Sequence, residues 1–174
     1  GGIFADTVRE AQAISQMDDK VAHHLALLAM DQFGLLLAGM NPGLVTASSE
    51  LEIAERGWQH RGIVWLPSHM VMADENIPQN WHVTSDSLAA WITRKIGAEH
   101  LVLVKSGNLD AYAEASSAHD VQKLMTDGVV DNAFATFTAG SFQTWILNKA
   151  DYSVFAQGLD LDVLKKQALA VRSS

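Results

Sequence analysis

Apolar residues recur along this chain with two different periods, which predict alternating helices and strands. In the first half, spacing of three and four predicts an amphipathic helix at residues 4–17 and a longer one at residues 20–38. Short apolar runs at residues 44–47 and 63–66 predict strands, with a helix capped by Ser48 or Ser49 between them. The first half is therefore expected to alternate between helix and strand.

Residues 81–108 form the most informative stretch. The polar turn Thr84-Ser85-Asp86 precedes apolar residues at helical spacing, from Leu88 to Ile96, and the apolar run at 101–104 predicts a buried strand. That strand ends in Lys105-Ser106-Gly107-Asn108, a cation followed by turn-forming residues. Polar chemistry therefore lies at both ends of one helix-strand unit.

The remaining pattern continues the alternation. It predicts a short helix at 121–127, a turn at 128–131, a strand at 142–147 and a closing helix at 160–171, with helix or loop at 111–118. Short apolar strands separated by helices predict an α/β fold with a mostly parallel sheet covered on both faces. At 174 residues, the chain is expected to form a single domain, residues 1–174.

Composition narrows the classes of function. With 48% hydrophobic and 18% charged residues the chain is globular, and its net charge of -8 argues against nucleic acid as a main partner. The absence of cysteine excludes disulfides and thiolate metal sites and fits a cytoplasmic protein. The longest apolar run, residues 25–40, is interrupted by Asp31 and Gln32, so no membrane span is expected.

The polar residues at the start of the helix in residues 81–108 have two interpretations. Thr84, Ser85 and Asp86 fit an ordinary helix cap and a catalytic group equally well. A carboxylate at a phosphate site would repel the ligand unless it orders lysines or a metal ion that hold the phosphates. Lys105, at the carboxyl end of a strand, is either a phosphate partner or a solvated turn lysine.

Other candidate groups are less specific. Gly1 and Gly2 before a helix could cradle phosphate on backbone N–H groups or could simply form a turn. Seven scattered histidines suggest no metal set, and no Gly-x-Ser-x-Gly elbow indicates a hydrolase.

In combination, these motifs resemble the amino acid kinase superfamily over nearly the whole chain. The resemblance is carried by segments in a characteristic order: Gly1-Gly2 with Phe4-Ala5-Asp6, the helix at 19–26, Thr84-Ser85-Asp86-Ser87, the strand ending in Lys105-Ser106, and Gly128-Val129-Val130-Asp131. Within the superfamily, the pattern is similar to the small aminomethylfuran-methyl phosphate kinase-like members of methanofuran biosynthesis.

This resemblance implies a three-layer α/β/α sandwich and a kinase that transfers the γ-phosphoryl group of ATP, with Mg²⁺, to an acceptor phosphate or carboxylate. It implies that Asp86 organises catalytic lysines, and that Lys105, Ser106 and Gly107 begin the nucleotide-binding segment, which Asp131 borders. Gly1 and Gly2 would hold the transferring phosphoryl group or the acceptor, and Ser85 would contact the acceptor. The expected partners are ATP and a small-molecule acceptor, and a homo-oligomer is expected from the family.

Asp6 suggests a feature of the acceptor. Related isopentenyl phosphate kinases carry, at the matching place, a histidine that contacts the acceptor phosphate. A carboxylate there would repel phosphate but would pair with an ammonium group, so we expect Asp6 to recognise an amine on the acceptor.

The chain also departs from the family pattern. Family members carry a Lys-x-Gly-Gly segment on their first strand, and no such segment precedes Gly1 in this sequence. We therefore expect the domain to lack its N-terminal strand here. The alternative function is a nucleotide- or oxoanion-binding storage protein on the same fold without kinase turnover.

Overall fold

Helices and short strands alternate in the computed structural model, which describes residues 2–59, 62–109, 112, 119–139, 142–156, 158 and 160–172. Internal contacts divide the chain into two compact units, Gly1–Trp81 and His82–Ser174. The predicted α/β class with mostly parallel strand pairing is confirmed. The expectation of a single domain stays a prediction.

The first unit is a small helix-covered parallel sheet. Its elements are α1 (Gly2–Ser15), α2 (Asp19–Met40), β1 (Leu44–Ala47), α3 (Glu50–Gly57), β2 (Gly62–Trp65) and α4 (Ser68–Met72). Strands β1 and β2 pair in parallel, Leu44 opposite Gly62, and α2 packs against both strands and against α1 and α4. The predicted helices and strands of this half are all present, with bounds shifted by a few residues.

Helix α2 organises the first unit. Asp18 caps it by accepting a hydrogen bond from the Val21 N–H at 2.8 Å. Its length of 22 residues and its composition would allow it to cross a membrane, a test that core helices of soluble proteins and signal sequences also pass. Asp31, midway along α2, accepts bonds from the N–H and the hydroxyl of Ser68 and so ties α2 to the start of α4.

The second unit contains a four-stranded sheet. Its elements are α5 (Ser85–Lys95), β3 (His100–Lys105), β4 (His119–Asp120), α6 (Val121–Thr126), α7 (Phe134–Phe137), β5 (Gln143–Asn148), a 3-10 helix (Lys149–Phe155), α8 (Leu161–Gln167) and β6 (Leu169–Arg172). The strand order is β3-β5-β6-β4, with β3 parallel to β5, β6 parallel to β4, and β5 antiparallel to β6.

The chain end differs from the predicted helix at 160–171. Helix α8 ends at Gln167, and Ala168 adopts an extended conformation that leads into strand β6. Val171 pairs with Thr144 of β5, so the apolar Leu-Ala-Val run adds a strand to the sheet. Periodicity alone could not separate the end of the helix from the strand, because a short apolar run suits a strand as well as the last turn of a helix. The prediction for 111–118 lies outside the described residues except at Tyr112.

The core of the second unit positions the candidate polar residues of α5 and β3. Leu88 and Trp91 on α5 are buried, as are Leu101 and Leu103 on β3 and Phe134 on α7. Helix α5 packs against both β3 and α7. This packing fixes the first turn of α5 relative to the end of β3, where the candidate polar residues lie.

Candidate functional site

Asp86 and Lys105 form an ion pair in the second unit. The Nζ atom of Lys105 donates to Oδ2 of Asp86 at 2.7 Å. The exposed fraction of the side chain is 22% for Lys105 and 12% for Asp86, so both charges are largely removed from water but can still be approached. The sequence-predicted residues at the two ends of the helix-strand unit therefore meet in space.

The sheet explains why Lys105 stands where it does. Lys105 is the last residue of β3 and lies opposite Asn148, the last residue of the parallel strand β5. The carboxyl ends of parallel strands share one edge of a sheet, and ligands of open α/β sheets gather there. The side chain of Asn148 donates to the carbonyl of Gly107 at 3.2 Å and thereby holds the loop that follows Lys105.

Asp131 lies against the first turn of α5. Its Oδ2 atom accepts bonds from the N–H and the hydroxyl of Thr84 and from the N–H of Ser87, each at 2.9 Å. The Ser87 hydroxyl donates to Oδ1. The start of α5, which suits an anion, therefore holds a carboxylate of the chain itself.

The environment of Asp86 perturbs its acidity. Burial raises the pKa of the Asp86 carboxyl, and the negative charge of Asp131 acts in the same direction. The charge and hydrogen bond of Lys105, and the Asp131 N–H that donates to Asp86 Oδ2 at 3.2 Å, oppose that rise. A buried acid with a perturbed pKa and a specific cationic partner is typical of a functional site.

The other candidates of the second unit are more exposed. Ser85 lies on the first turn of α5 with its side chain exposed, and Ser106 and Gly107 are exposed in the loop after β3. This loop continues directly from Lys105. Their proposed contacts with acceptor and nucleotide remain predictions.

The candidates of the first unit lie on α1. Gly2 is the first residue of this helix, with a φ of 52° in the region that favours glycine. A Cβ atom there would lie 3.0 Å from the Phe33 ring. Gly1 lies outside the described residues.

Asp6, also on α1, already has a cationic partner. Its Oδ1 atom lies 2.8 Å from Arg9 Nη1, and both side chains are mostly exposed. The Arg9 guanidinium stands 5.1 Å from the centre of the Trp81 ring. Asp6 therefore forms an exposed ion pair within α1, and its predicted contact with an acceptor amine stays a prediction.

Metal binding by side chains alone is not indicated where the structure describes the chain. The described residues contain no group of three or more His, Cys, Asp or Glu side chains able to hold a metal ion. Mg²⁺ at phosphoryl-transfer sites keeps several waters and relies on substrate phosphates with one or two carboxylates.

Two contributions escaped the sequence reasoning. Asn148 was not singled out, although its position at the end of a predicted strand is the signal that could have identified it. The role of Asp131 as a partner of α5 was also missed, because it depends on a contact across 44 residues. Both residues shape the surroundings of the Asp86–Lys105 pair.

Comparisons with known proteins give relatives of the chain rather than of single residues. No protein-family model matches the chain. The chain is 27% identical over 104 residues to a 5-(aminomethyl)furan-3-yl-methyl phosphate kinase from Methanocaldococcus jannaschii. That match covers 59% of this chain and 47% of the relative, so the chain spans about half the length of the curated relative it matches.

A solved structure gives the fold. The UMP kinase from Ureaplasma parvum superposes with a TM-score of 0.63, covering 93% of this chain and 75% of that chain at 15% sequence identity. The chain therefore has the fold of the amino acid kinase superfamily, and the curated relative supports the same resemblance that the sequence motifs indicate.

Proposed function

We propose that this chain is the catalytic part of an ATP-dependent small-molecule kinase. It transfers the γ-phosphoryl group of ATP to a phosphate or carboxylate acceptor. The observation that carries this proposal is the half-buried Asp86–Lys105 ion pair at the carboxyl edge of β3. The name of the curated relative, a phosphate kinase, supports the same chemistry.

In the proposed mechanism, Lys105 binds the phosphates of ATP. Its ammonium group lies at the carboxyl ends of the parallel strands β3 and β5, the edge where ligands of open α/β sheets gather. A hydrogen bond of 2.7 Å to Asp86 holds it there. A cation fixed before the substrate arrives stabilises developing charge without reorganisation. Phosphoryl transfer relies on such positioning and charge neutralisation rather than on covalent chemistry.

Asp86 acts as the organiser of this cation. In the described structure, both hydrogen bonds of its carboxylate end on Oδ2, one from Lys105 and one from the Asp131 N–H. A carboxylate that contacted phosphate directly would repel it. A carboxylate that binds a lysine instead orients the ammonium group of that lysine. Mg²⁺, carried on the ATP phosphates, would neutralise further charge on the transferring group.

The loop after Lys105 contributes backbone groups. Ser106 and Gly107 are exposed there, and Asn148 holds the Gly107 carbonyl at 3.2 Å. We propose that these residues contact the nucleotide. In the first unit, Gly1, Gly2 and Asp6 are proposed to contact the acceptor, with Asp6 selecting an amine-bearing molecule of the kind used in methanofuran-type cofactor biosynthesis. In the second unit, Ser85 is separately proposed as an acceptor contact.

An ADP-release assay on the full-length protein tests this function. The panel should contain phosphate and carboxylate acceptors with and without an amine, and the paired variants should be Asp86→Asn and Asp160→Asn. Asp160 caps α8 by accepting bonds from the N–H groups of Asp162 and Val163, so it controls for the loss of a carboxylate elsewhere. Acceptor-dependent ADP release that Asp86→Asn abolishes supports the kinase. Nucleotide binding without ADP release for every acceptor supports the storage-protein alternative instead.

A further inference from the structure

We infer that Asp131 is a positioning residue that holds the first turn of α5 so that the Asp86 carboxylate faces Lys105. The catalytic meaning of this inference rests on the proposed kinase function. The geometry that supports it does not, because it consists of hydrogen bonds within the second unit.

The first step concerns the start of α5. Thr84 is the N-cap residue of this helix, yet its side chain makes no capping bond to the helix. Asp131 supplies the cap instead, by accepting a bond from the Ser87 N–H, the third helical residue, at 2.9 Å. It also holds the N–H and the hydroxyl of Thr84. Both sides of Asp86 in the sequence are therefore fixed by one carboxylate.

The second step concerns the Asp86 side chain. The Asp131 N–H donates to Asp86 Oδ2 at 3.2 Å, and Lys105 Nζ donates to that same oxygen at 2.7 Å. Asp131 thus holds Thr84 and Ser87, on either side of Asp86, through its side chain, and the carboxylate of Asp86 through its main chain. A rotation of Asp86 away from Lys105 would break the bond from the Asp131 N–H.

The third step distinguishes positioning from direct nucleotide contact. An ionised carboxylate offers about four lone-pair sites. Asp131 accepts from both polar groups of Thr84, from both polar groups of Ser87, and from the Ala133 N–H at 3.3 Å. Its acceptor capacity is used within the protein, so a nucleotide or its metal ion would have to displace capping bonds to reach it. This geometry points to action through Asp86.

The test compares Asp131→Asn with Asp160→Asn in the full-length protein. Both substitutions replace a carboxylate that accepts N–H bonds from the first turn of a helix in the second unit, and asparagine keeps the side-chain size and one accepting oxygen, so folding should survive in both. The asparagine at 131 keeps the main-chain N–H but loses one carboxylate oxygen. The orientation of the first turn of α5 should therefore loosen in Asp131→Asn.

Two measurements separate positioning from general damage. The first is NMR hydrogen exchange at the Lys105 ammonium group without substrate, where we expect loss of protection in Asp131→Asn but not in Asp160→Asn. The second is steady-state ADP release, where we expect kcat to fall about tenfold or more in Asp131→Asn with KM for ATP unchanged, because misplacing a preorganised group is costly.

Unchanged protection at Lys105 in Asp131→Asn would overturn the inference, and so would a fall in kcat no larger than that of Asp160→Asn. A raised KM for ATP at normal kcat would also overturn it and would assign Asp131 to nucleotide binding. If the unmodified protein releases no ADP with any acceptor, the proposed function fails, while the exchange measurement still decides whether Asp131 positions the pair.

Discussion

Lys105 Nζ lies 2.7 Å from Asp86 Oδ2, although the two residues stand at opposite ends of a helix-strand unit and are 19 positions apart. The contact exists because α5 runs back along the sheet, so that its first turn lies near the end of β3. It places a cation and its carboxylate partner at the carboxyl ends of the parallel strands β3 and β5, and ligands of open α/β sheets gather at such an edge.

Replacement of Asp86 by asparagine is expected to lower the turnover of ADP release by about two orders of magnitude or more, the usual cost of removing one preorganised electrostatic element. The asparagine keeps the size of the side chain but cannot balance the Lys105 charge. Steady-state kcat is the measurement. Turnover within about twofold of the unmodified protein would be incompatible with the catalytic role of Asp86.

The activity is expected to decline on acidification at a higher pH than an ordinary aspartate would produce. Burial raises the pKa of Asp86, and the carboxylate must be ionised to hold Lys105 as a salt-bridge partner. The pH profile of kcat/KM measures this. An acid limb at the ordinary position of an aspartate would contradict the prediction.

The same raised pKa fixes the sign of a stability effect. The folded chain binds the Asp86 proton more tightly than the unfolded chain, whose aspartates have a pKa of about 3.9. The resulting stabilisation is fully present below that unfolded pKa and is lost as pH rises through the folded pKa. Chemical denaturation of the unmodified protein and Asp86→Asn across this range should therefore show the unmodified protein losing stability relative to the variant as pH rises. A difference that is constant with pH would contradict the assignment.

The amine hypothesis gives a separate prediction. Asp6→Asn is expected to raise KM for an amine-bearing acceptor and to leave KM for an amine-free acceptor unchanged, because only the former offers a charge to pair with the carboxylate. Glu10→Gln is a matched control, since Glu10 is another exposed carboxylate on α1. An unchanged KM for the amine-bearing acceptor in Asp6→Asn would remove Asp6 from the acceptor site.

Two glycines of α2 are expected to respond differently to alanine. A Cβ atom at Gly39 meets nothing within 4 Å, so Gly39→Ala should stabilise the chain by up to about 1 kcal/mol through helix propensity. A Cβ atom at Gly34 would lie 2.8 Å from Leu66 Cδ2 and 3.1 Å from Val64 Cγ1, where α2 approaches the sheet. Gly34→Ala should therefore be less stable than Gly39→Ala in chemical denaturation. Equal stability of the two variants would show that the helix does not lie so close to those side chains.

The sequence predicted much of this arrangement because local signals were strong. Helical periodicity identified α2 and α5, and the apolar run before Lys105 identified β3. The end of the chain was less predictable, since β6 becomes a strand only through its pairing with β5. Strand pairing of this kind depends on tertiary contacts that no local pattern contains.

The site was predictable to a similar extent. Asp86 and Lys105 could be selected because each lies at the end of a recognisable element, and the structure brings them into contact. The place of Asp131 could not be read in the same way, because the turn that carries it returns to α5 from a distant part of the chain. Its bond pattern is a property of the folded second unit.

A double-mutant cycle on ADP release tests the central claim most directly. The variants are Asp86→Asn, Lys105→Met and the two combined, measured by kcat in the full-length protein. If Asp86 acts by holding Lys105, the double variant will be no slower than the slower single variant, because the second substitution removes a function already lost. If the two losses multiply, the residues act independently, and the ion pair is not the unit that handles the phosphates.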